Sequence, residues 1–509
     1  MVARVTTVAF EGIEARTVDV QVQLSSGIPV FTIVGLPDKA VAESRERVRA
    51  AIHSLGLALP AKRIVVNLAP ADILKEGSHF DLPIAIGILV SMGVLAEDEI
   101  DSYLALGELA LDASLLPVSG VLPAAMLALE KDKGLICPKE CGSEAVWSGI
   151  GDILAPSSLL ALINHFKGTQ VLTMPERGVA ATSVFGIDMA EVRGQYSARR
   201  ALEVAAAGGH NMLMIGAPGA GKSMLASCLP SILPLMDSQE ILEVSMINSI
   251  AGKLAGGNLS RLRPFRDPHH SASPAAMVGG GKRALPGEIS LAHNGVLFLD
   301  ELPEFPRAVL ESLRQPLETG TVSVARAQAH VTYPARFQLI AAMNPCRCGY
   351  LGDESRACNK APRCAADYQG KISGPLLDRF DMVIEVPEVS TLDMLNTSGG
   401  ESSAIVAKRI SEARELQKIR FRDVKILRRT NSDLSGDMLR ELVITDEKAE
   451  CILKQSVEKL RLSMRGYSRV LRVARTIADL EKSEIVRQNH VAEAVSYRQM
   501  WFGRQVEFS

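Results

Sequence analysis

Long apolar runs are scarce in this chain. The longest run, from Pro83 to Leu95, is about 13 residues, whereas a transmembrane helix needs about 20. The first residues also lack the apolar core of a signal peptide. These two absences predict a cytoplasmic protein that has no membrane partner.

Neither an excess of charge nor a large number of cysteines is present. The chain has 56 basic and 58 acidic residues, so a polyanion would have to be bound by a local basic patch. Eight cysteines in 509 residues are too few for a disulfide framework, but four of them cluster within Cys346–Cys364. The remaining composition, 47% hydrophobic and 22% charged, predicts a soluble globular chain of roughly three domains.

The most specific motif lies between an apolar run and a helix-prone segment. It has the pattern G-x-x-x-x-G-K-S, and its residues are Gly216, Ala217, Pro218, Gly219, Ala220, Gly221, Lys222 and Ser223. In such a loop, backbone N–H groups surround a phosphate, the lysine neutralises the β- and γ-phosphates, and the serine hydroxyl binds Mg²⁺. The motif therefore predicts ATP and Mg²⁺ as cofactors.

Three later segments supply groups that hydrolysis requires. Asp300 and Glu301 follow the apolar run Gly295–Leu299, which predicts a buried parallel strand that presents Asp300 to Mg²⁺ and Glu301 to a water. A second apolar strand ends at Asn344, which is suited to orienting that water. Arg379 precedes a third strand, where it can stabilise the charge on a neighbouring subunit's nucleotide. The alternatives are a solvated acidic pair and a structural Asn-Pro turn.

Two segments have the features of DNA-contacting loops. The first carries three consecutive glycines, one acidic residue and five basic residues: Arg261, Arg263, Arg266, Lys282 and Arg283. The second, Thr321–Tyr333, alternates like two strands around a turn that contains Arg326 and Gln328. Flexible basic loops suit a phosphate backbone, although a solvated charged loop has the same composition. We interpret the neighbouring His269 and His270 as structural.

The clustered cysteines predict a metal site. Cys346, Cys348, Cys358 and Cys364 lie within 19 residues of a loop that is rich in glycine and proline and poor in apolar residues. Four thiolates at this spacing can form a tetrahedral Zn²⁺ site and fix a loop that has no core of its own. The spacings are looser than paired C-x-x-C, so four free thiols are the alternative.

Hydrophobic periodicity predicts an α/β multidomain chain. The expected units are an α/β domain at residues 1–170, a linker at 171–186, an ATPase core at 187–395 and a helical lid at 396–509. The N-terminal unit contains predicted strands at 18–24, 28–34, 62–68 and 103–109 and predicted helices at 38–55, 81–92 and 123–129. A further helix is predicted from Ile187 to His210, before the phosphate-binding loop.

The order and residue sequences of these motifs resemble those of the AAA+ ATPases of the Mg-chelatase-subunit and MCM-like clade. Essentially the whole chain resembles the ComM/YifB family. The resemblance implies that Asn344 is the sensor-1 residue and Arg379 the arginine finger, acting in trans. It implies a sensor-2 role for Arg472, or for Arg465 by comparison with MCM. It also implies that 261–283 is a helix-2 insert facing a ring pore and that 321–333 is the pre-sensor-1 hairpin.

The N-terminal domain resembles the Lon-protease, ribosomal-S5-like fold. A Lon protease needs a serine nucleophile that a lysine activates. Ser78, followed by His79 and Asp81, lies about one place early in the stretch that resembles the serine motif, and the counterpart of the lysine segment, Leu116–Ala125, contains no lysine. Three near-adjacent side chains also rarely meet in triad geometry. We therefore predict a non-proteolytic domain.

The family resemblance implies a function as well. It implies a hexameric, ATP-driven DNA helicase or translocase that promotes branch migration and strand integration in natural transformation and homologous recombination. Its partners would be single-stranded, double-stranded and branched DNA and the recombinase machinery. The alternatives are a Mg-chelatase-type motor and a protein remodeller or ATP-dependent protease-like factor.

Overall fold

The computed structural model describes most of the chain. The described residues are 2–178, 186–281, 284–325, 330–351, 356, 358–361, 363–389, 400–422 and 430–506. Across these residues, no helix combines the length and apolar character that crossing a membrane requires.

The N-terminal domain is a mixed sheet covered by helices. Its strands are β1 (Val2–Glu11), β2 (Glu14–Ser25), β3 (Phe31–Val34), β4 (Arg63–Ala69), β5 (Tyr103–Ala105), β6 (Glu108–Leu109), β7 (Leu115–Leu116), β8 (Gly134–Ile136) and β9 (Ile153–Leu154). Its helices are α1 (Lys39–Ser54), α2 (Asp81–Ser91), α3 (Glu97–Asp101), α4 (Val121–Glu130), α5 (Gly142–Ala145) and α6 (Leu159–Phe166). Seven strands form one sheet in the order β3-β4-β2-β1-β5-β8-β9.

Most of the elements predicted here are present, with one strand divided. The helix predicted from residue 38 begins as expected, because the Asp38 side chain accepts a hydrogen bond from the Val41 N–H (2.8 Å). The strand predicted over 103–109 is instead two strands, β5 and β6. The chain leaves the sheet between them because Gly107 exchanges backbone hydrogen bonds with His79 and Leu82 at the start of α2.

The central region is built on a parallel sheet. Its strands are β10 (Met212–Ile215), β11 (Phe265–Arg266), β12 (Gly279–Gly280), β13 (Leu285–Pro286), β14 (Val296–Leu299), β15 (Thr321–Ala325), β16 (His330–Pro334), β17 (Gln338–Met343) and β18 (Met382–Glu385). Its helices are α7 (Tyr196–Gly208), α8 (Lys222–Ser227), α9 (Leu229–Ile232), α10 (Ser238–Ile250), α11 (Pro274–Val278), α12 (Glu288–Leu291), α13 (Arg307–Ser312), α14 (Arg314–Thr319), α15 (Arg363–Gln369) and α16 (Gly374–Leu377). Five strands pair in parallel in the order β11-β14-β17-β10-β18.

The helix predicted from Ile187 to His210 is shorter than expected. Only α7 is an α-helix, because Gly194 and Gln195 before it both have positive φ values (62° and 54°), which interrupts the helical path. A short 3-10 turn, Met189–Glu191, precedes this break. The Gln195 side chain donates a hydrogen bond to the Ala220 carbonyl (3.2 Å), so the break packs against the phosphate-binding loop.

The C-terminal region is helical, as predicted. Its helices are α17 (Ser403–Arg422), α18 (Gly436–Leu442), α19 (Glu447–Lys459), α20 (Met464–Leu480) and α21 (Gln488–Val506). Apolar residues of α20, such as Val473 and Ile477, share one core with α7 and with one face of the parallel sheet. Alternate residues of the same strands face a second core on the other side, as the two-residue period of a strand requires.

The N-terminal domain is attached to the C-terminal end of α10. The Gly120 N–H donates to the Ser249 carbonyl (3.0 Å), and the Trp147 indole donates to the Gly257 carbonyl (2.7 Å). The Ser249 hydroxyl donates to the buried Glu144 carboxyl (2.5 Å), which also accepts from the Leu122 N–H. The contact is therefore hydrogen-bonded at specific backbone groups.

Because Glu144 is buried, we predict that the stability of the folded protein depends on pH. Burial raises the pKa of Glu144 to about 7, so the folded state retains a proton that the unfolded state releases above about pH 4.5. Its contribution to stability therefore falls as pH rises through that window. Between about pH 5 and pH 8, we expect the melting temperature of the wild type to fall by about 2–4 °C more than that of Glu144→Gln. Equal pH slopes in the wild type and Glu144→Gln would contradict this, and Glu140→Gln, at an exposed position, is the control.

Candidate nucleotide-binding site

The phosphate-binding loop connects β10 to α8. Gly219 and Gly221 have φ values of +78° and +84°, which side chains with a Cβ adopt only with strain. Gly216 lies so close to β18 that a Cβ would be 2.3 Å from the Val386 carbonyl oxygen. The glycines of the predicted motif are therefore required by this backbone path, and α8 begins at Lys222.

Lys222 points into the loop and is almost completely buried. Its ammonium donates hydrogen bonds to the Gly216 and Ala217 carbonyls (2.8 Å each) and to the Asn344 side-chain oxygen (3.1 Å). Burial lowers its pKa, and the carboxylates of Asp300 and Glu301 oppose that effect. The lysine and the predicted sensor-1 asparagine are thus adjacent in the fold although 122 residues separate them.

Two hard oxygen ligands converge beside this lysine. The Ser223 hydroxyl donates to the Asp300 carboxylate (2.6 Å), whose other oxygen accepts from the Glu301 N–H (2.9 Å). A hydroxyl and a carboxylate fit Mg²⁺, which binds through oxygen and, when present, would neutralise phosphate charge. Asp267 is a third carboxyl in this region. Burial raises its pKa most, and the nearby negative charge of Asp300 raises it further.

Glu301 has a partner that the sequence did not indicate. Its carboxylate oxygen lies 3.3 Å from Nδ1 of His270, and the His270 ring stacks near His269 with centroids 4.1 Å apart. Our interpretation of His270 as purely structural is therefore incomplete. His270 follows β11, which pairs in parallel with β14, so both strands end at the same edge of the sheet.

The cleft around these groups has little positive charge. It is lined by Pro218, Gly219, Gly221, Lys222, Ser223, Met224, Asp300, Glu301, Met343 and Asn344. Among these described residues, Lys222 is the one cation and two are acids. ATP carries several negative charges, so this lining alone does not balance a bound triphosphate.

Arg379 belongs to a separate group of arginines. Its guanidinium pairs with Glu318, and its side chain is 12% exposed. Burial lowers the pKa of Arg379, and the nearby charges of Arg465, Arg469 and Arg314 lower it further. Four arginines are therefore gathered near one another, and none of them lines the cleft around Lys222 described above.

The two sensor-2 candidates lie on α20, seven residues apart. Arg465 is exposed and close enough to Arg379 to affect its pKa. Arg472 is half-buried near Asp381. Burial raises the pKa of Asp381, but its interactions with His210 and the charges of Arg472 and Arg469 outweigh burial and leave that pKa lowered. Arg465 therefore belongs to the arginine group, Arg472 lies near it, and neither is among the residues that line the cleft.

The four cysteines come together as predicted. The sulfur atoms of Cys346, Cys348 and Cys364 lie within 4.8 Å of one another, and those of Cys346 and Cys348 are 3.1 Å apart. The Cys358 thiol interacts with both Cys348 and Cys364. Hydrogen bonds, first from the Tyr350 N–H and then from the Cys346 thiol, lower the pKa of Cys348 to about 6. Soft thiolates in this arrangement fit Zn²⁺.

Two of the predicted DNA-contacting arginines are engaged inside the protein. The Arg263 guanidinium forms two hydrogen bonds with Glu240 (2.8 and 3.0 Å), and its side chain is 15% exposed. Arg266 binds Glu288 in the same way (2.5 and 2.8 Å). Both guanidinium groups therefore hold the insertion against α10 and α12. Arg261, by contrast, is exposed.

The predicted hairpin is present in β15 and β16. The two strands are antiparallel, with Ala325 opposite His330, and Val322, Val324 and Tyr333 face the core. The hairpin tip with Arg326 and Gln328 lies outside the described residues, as do Lys282 and Arg283. The hairpin itself is thus firmly packed on the parallel-sheet region.

The serine region of the N-terminal domain does not form a triad. The Ser78 hydroxyl donates to Glu108, while Nε2 of His79 lies 2.9 Å from the Val8 carbonyl oxygen. Asp81 forms an ion pair with Arg47 (2.5 Å). Ser78, His79 and Asp81 therefore do not form a triad with one another, and the lack of proteolysis stays a prediction.

Comparisons with known proteins agree with this architecture. Residues 188–394 match a family model described as magnesium chelatase, subunit ChlI. Residues 20–141 match the model for subunit ChlI of Mg-chelatase, and residues 400–498 match that for the subunit ChlI C-terminal region. The phosphate-binding loop, Asp300 and Arg379 all lie within the first of these matches.

Several relatives match almost the whole chain. Competence protein ComM of Haemophilus influenzae is 43% identical over 496 residues, which are 96% of this chain and 96% of ComM. This chain belongs to the ComM/YifB family. YifB of Escherichia coli K12 is also 43% identical, over 96% of this chain and 95% of YifB. The Magnesium-chelatase 38 kDa subunit of Acidiphilium rubrum is 25% identical over 55% of this chain and 79% of the subunit. The ComM/YifB chain thus has Mg-chelatase-like AAA+ domains, for which ATPase activity is expected.

The contact between His270 and Glu301 generates a kinetic prediction. The imidazole occupies a carboxylate oxygen of Glu301, so removing the ring should leave that oxygen open to a water. We expect His270→Ala to raise kcat for ATP about two- to threefold and to leave KM unchanged. His269→Ala is the control. A fall in kcat would show instead that His270 holds Glu301 in its productive orientation.

Proposed function

We propose that this protein is an ATP-driven DNA helicase or translocase that promotes branch migration, integrating single strands during natural transformation and homologous recombination. The observation that carries the proposal is the convergence of Lys222, Ser223, Asp300 and Asn344 on one cleft. The near full-length similarity to a protein named for competence supports the part of the proposal that concerns DNA transport.

The residues around the cleft have complementary roles in hydrolysis. Backbone N–H groups of the loop and Lys222 bind the β- and γ-phosphates, while Ser223 and Asp300 hold Mg²⁺. Glu301 accepts the proton of the attacking water, and Asn344 orients that water toward the γ-phosphate. Because Asn344 hydrogen-bonds Lys222, the positions of the water and the phosphate are linked.

The charge of the cleft supports assembly into a ring, which we propose is a hexamer. Lys222 is the one cation among the described lining residues, while Arg379 lies in a separate arginine group. A neighbouring subunit can place its Arg379, and an arginine of α20, against this cleft and stabilise the transferred phosphoryl charge. Each active site then combines residues of two subunits.

A complementation experiment tests shared sites. Lys222→Ala and Arg379→Ala should each nearly abolish ATP turnover. In an equal mixture of the two variants, about a quarter of the interfaces join an intact Lys222 to a neighbour's intact Arg379, so about a quarter of the wild-type turnover should return. Native mass spectrometry would verify that subunits mix. Mixed rings without recovered turnover would contradict sharing.

We propose that DNA is held by the exposed Arg261 and by the tip of the β15–β16 hairpin, where Arg326 and Gln328 follow β15. Lys282 and Arg283 belong to the same surface by sequence. Contacts of this kind go to phosphates, so affinity should depend strongly on salt and weakly on base sequence. Arg263 and Arg266 would support the loop through their ion pairs rather than touch DNA.

Strand displacement tests the DNA motor directly. With ATP, Mg²⁺ and three-stranded or forked DNA, we expect the wild type to displace a strand and Lys222→Ala to fail. Arg326→Glu should lose at least about 90% of displacement while basal ATP turnover remains, because it removes a phosphate contact only. A wild type that displaces no strand and whose turnover ignores DNA would contradict the proposal.

We also propose a structural Zn²⁺ bound by Cys346, Cys348, Cys358 and Cys364. The clustering of the sulfur atoms of Cys346, Cys348 and Cys364 supports it, because one Zn²⁺ ion can bind several thiolates that lie this close together. Zinc would fix a loop whose described side chains contribute little to either core.

A second candidate function is a Mg-chelatase-type motor or protein remodeller. The observation favouring it is the similarity to the Magnesium-chelatase 38 kDa subunit, although this covers 55% of the chain. Stimulation of ATP turnover by single-stranded DNA would favour the DNA motor, whereas indifference to DNA would favour the remodeller. The separate partners of Ser78, His79 and Asp81 make proteolysis the weaker version of this alternative.

A further inference from the structure

The cysteine turn packs directly on the phosphate-binding loop. Gly349 closes the turn by donating its N–H to the Cys346 carbonyl (3.0 Å). Gly349 also lies against Pro218, so closely that a Cβ on Gly349 would be 2.4 Å from Pro218 Cδ. Any side chain at this position would push the two loops apart. The cysteine turn therefore packs behind Pro218, which itself lines the nucleotide cleft.

The same turn is continuous with the sensor-1 strand. Asn344, which binds Lys222, is two residues before Cys346 and follows the last residue of β17. Pro345, between them, accepts a hydrogen bond at its carbonyl from the Gln369 side chain (2.8 Å). Gln369 ends α15, the helix that carries Cys364. The cysteine cluster thus ties the end of β17 to α15.

The other contacts that hold the described part of this loop are polar and partly exposed: Arg356 pairs with Glu388 (3.0 Å), and its guanidinium lies over the Tyr350 ring. Cys346 and Gly349 are buried, but Arg347, Lys360 and Ala361 are exposed, so the described loop residues form no core of their own. A bound ion contacting several thiolates would be the strongest restraint available to such a segment, since structural metal binding contributes directly to folding free energy.

We infer that Zn²⁺ at the cysteine cluster is a positioning element of the ATP site, which makes nucleotide affinity depend on metal occupancy. By fixing the turn from Cys346 to Gly349, the ion holds Pro218 and Asn344 in the positions that phosphate binding requires. The inference rests on the proposed zinc and ATP sites. When zinc leaves, the turn loses its restraint, and the walls that carry Pro218 and Asn344 loosen together.

Metal removal tests the inference on the full-length protein. Zinc content is measured by mass spectrometry, and the Kd of a fluorescent ATP analogue with Mg²⁺ is measured before and after zinc removal under reducing conditions. We expect about one zinc per chain, a Kd at least about tenfold higher after removal, and recovery when zinc is restored. An unchanged Kd in the zinc-free protein would overturn the inference.

Two variants separate the steps of the argument. Gly349→Ala retains all four thiols but places a methyl group against Pro218, so it should keep zinc and still bind ATP about tenfold more weakly. Gly149→Ala is the matched control, because Gly149 has a similar φ (+80°) and nothing within 4 Å of a Cβ. Cys348→Ser should lose zinc and ATP affinity together, with the exposed Cys451→Ser as its control.

The outcomes separate a failure of the inference from a failure of the proposed zinc site or the proposed ATP site. A zinc-loaded wild type that binds no ATP contradicts the proposed ATPase. A chain that takes up no zinc, even in excess, contradicts the zinc site and the inference together. If Cys348→Ser fails to fold, Gly349→Ala decides. Unweakened ATP binding by that variant, with its zinc retained, overturns the coupling while leaving both sites intact.

Discussion

The parallel pairing of β10, β14 and β17 is the constraint on which the site depends. Ile215 lies opposite Met343, and Leu299 opposite Ala341, so these strands end at nearly the same level of the sheet. The chain emerges from these ends as the phosphate-binding loop, as Asp300 and Glu301, and as Asn344. Because the carboxyl ends of parallel strands lie at one edge of a sheet, the sheet alone brings together residues that are more than 100 positions apart.

The edge of the sheet that carries the site has little positive charge. Lys222 is buried among carbonyl oxygens, and two carboxylates next to it offset its charge. The chain gathers four arginines in another place, where Arg379 pairs with Glu318 and Arg314 with Glu311. In the ring that we propose, a neighbour's Arg379 would add positive charge to the cleft. Its guanidinium would first have to leave Glu318.

The parts of the site that could be predicted are those formed by motifs of consecutive residues. The phosphate-binding loop and Asp300 follow apolar strands, so their geometry could be inferred from a few consecutive residues. His270 and Asp267 were missed because β11 has only two residues and no apolar run that would indicate a strand. The first strand, β1, was missed because Thr7, Val8 and Ala9 are all buried, which removes the alternation that marks a half-exposed strand. Charge alone also could not separate the paired Arg263 from the exposed Arg261, since an ion pair depends on where Glu240 folds.

Helix α10 connects the basic insertion to the N-terminal domain. It follows the helices of the phosphate-binding loop, and its first turn contains Glu240, which binds Arg263 at the base of the basic insertion. Its last turn contains Ser249, which binds Glu144 in the N-terminal domain. Buried ion pairs and hydrogen bonds are costly to break, so a displacement of α10 must carry both attachments with it. Bonded contacts at opposite ends of one helix therefore hold both the basic insertion, 261–283, and the N-terminal domain.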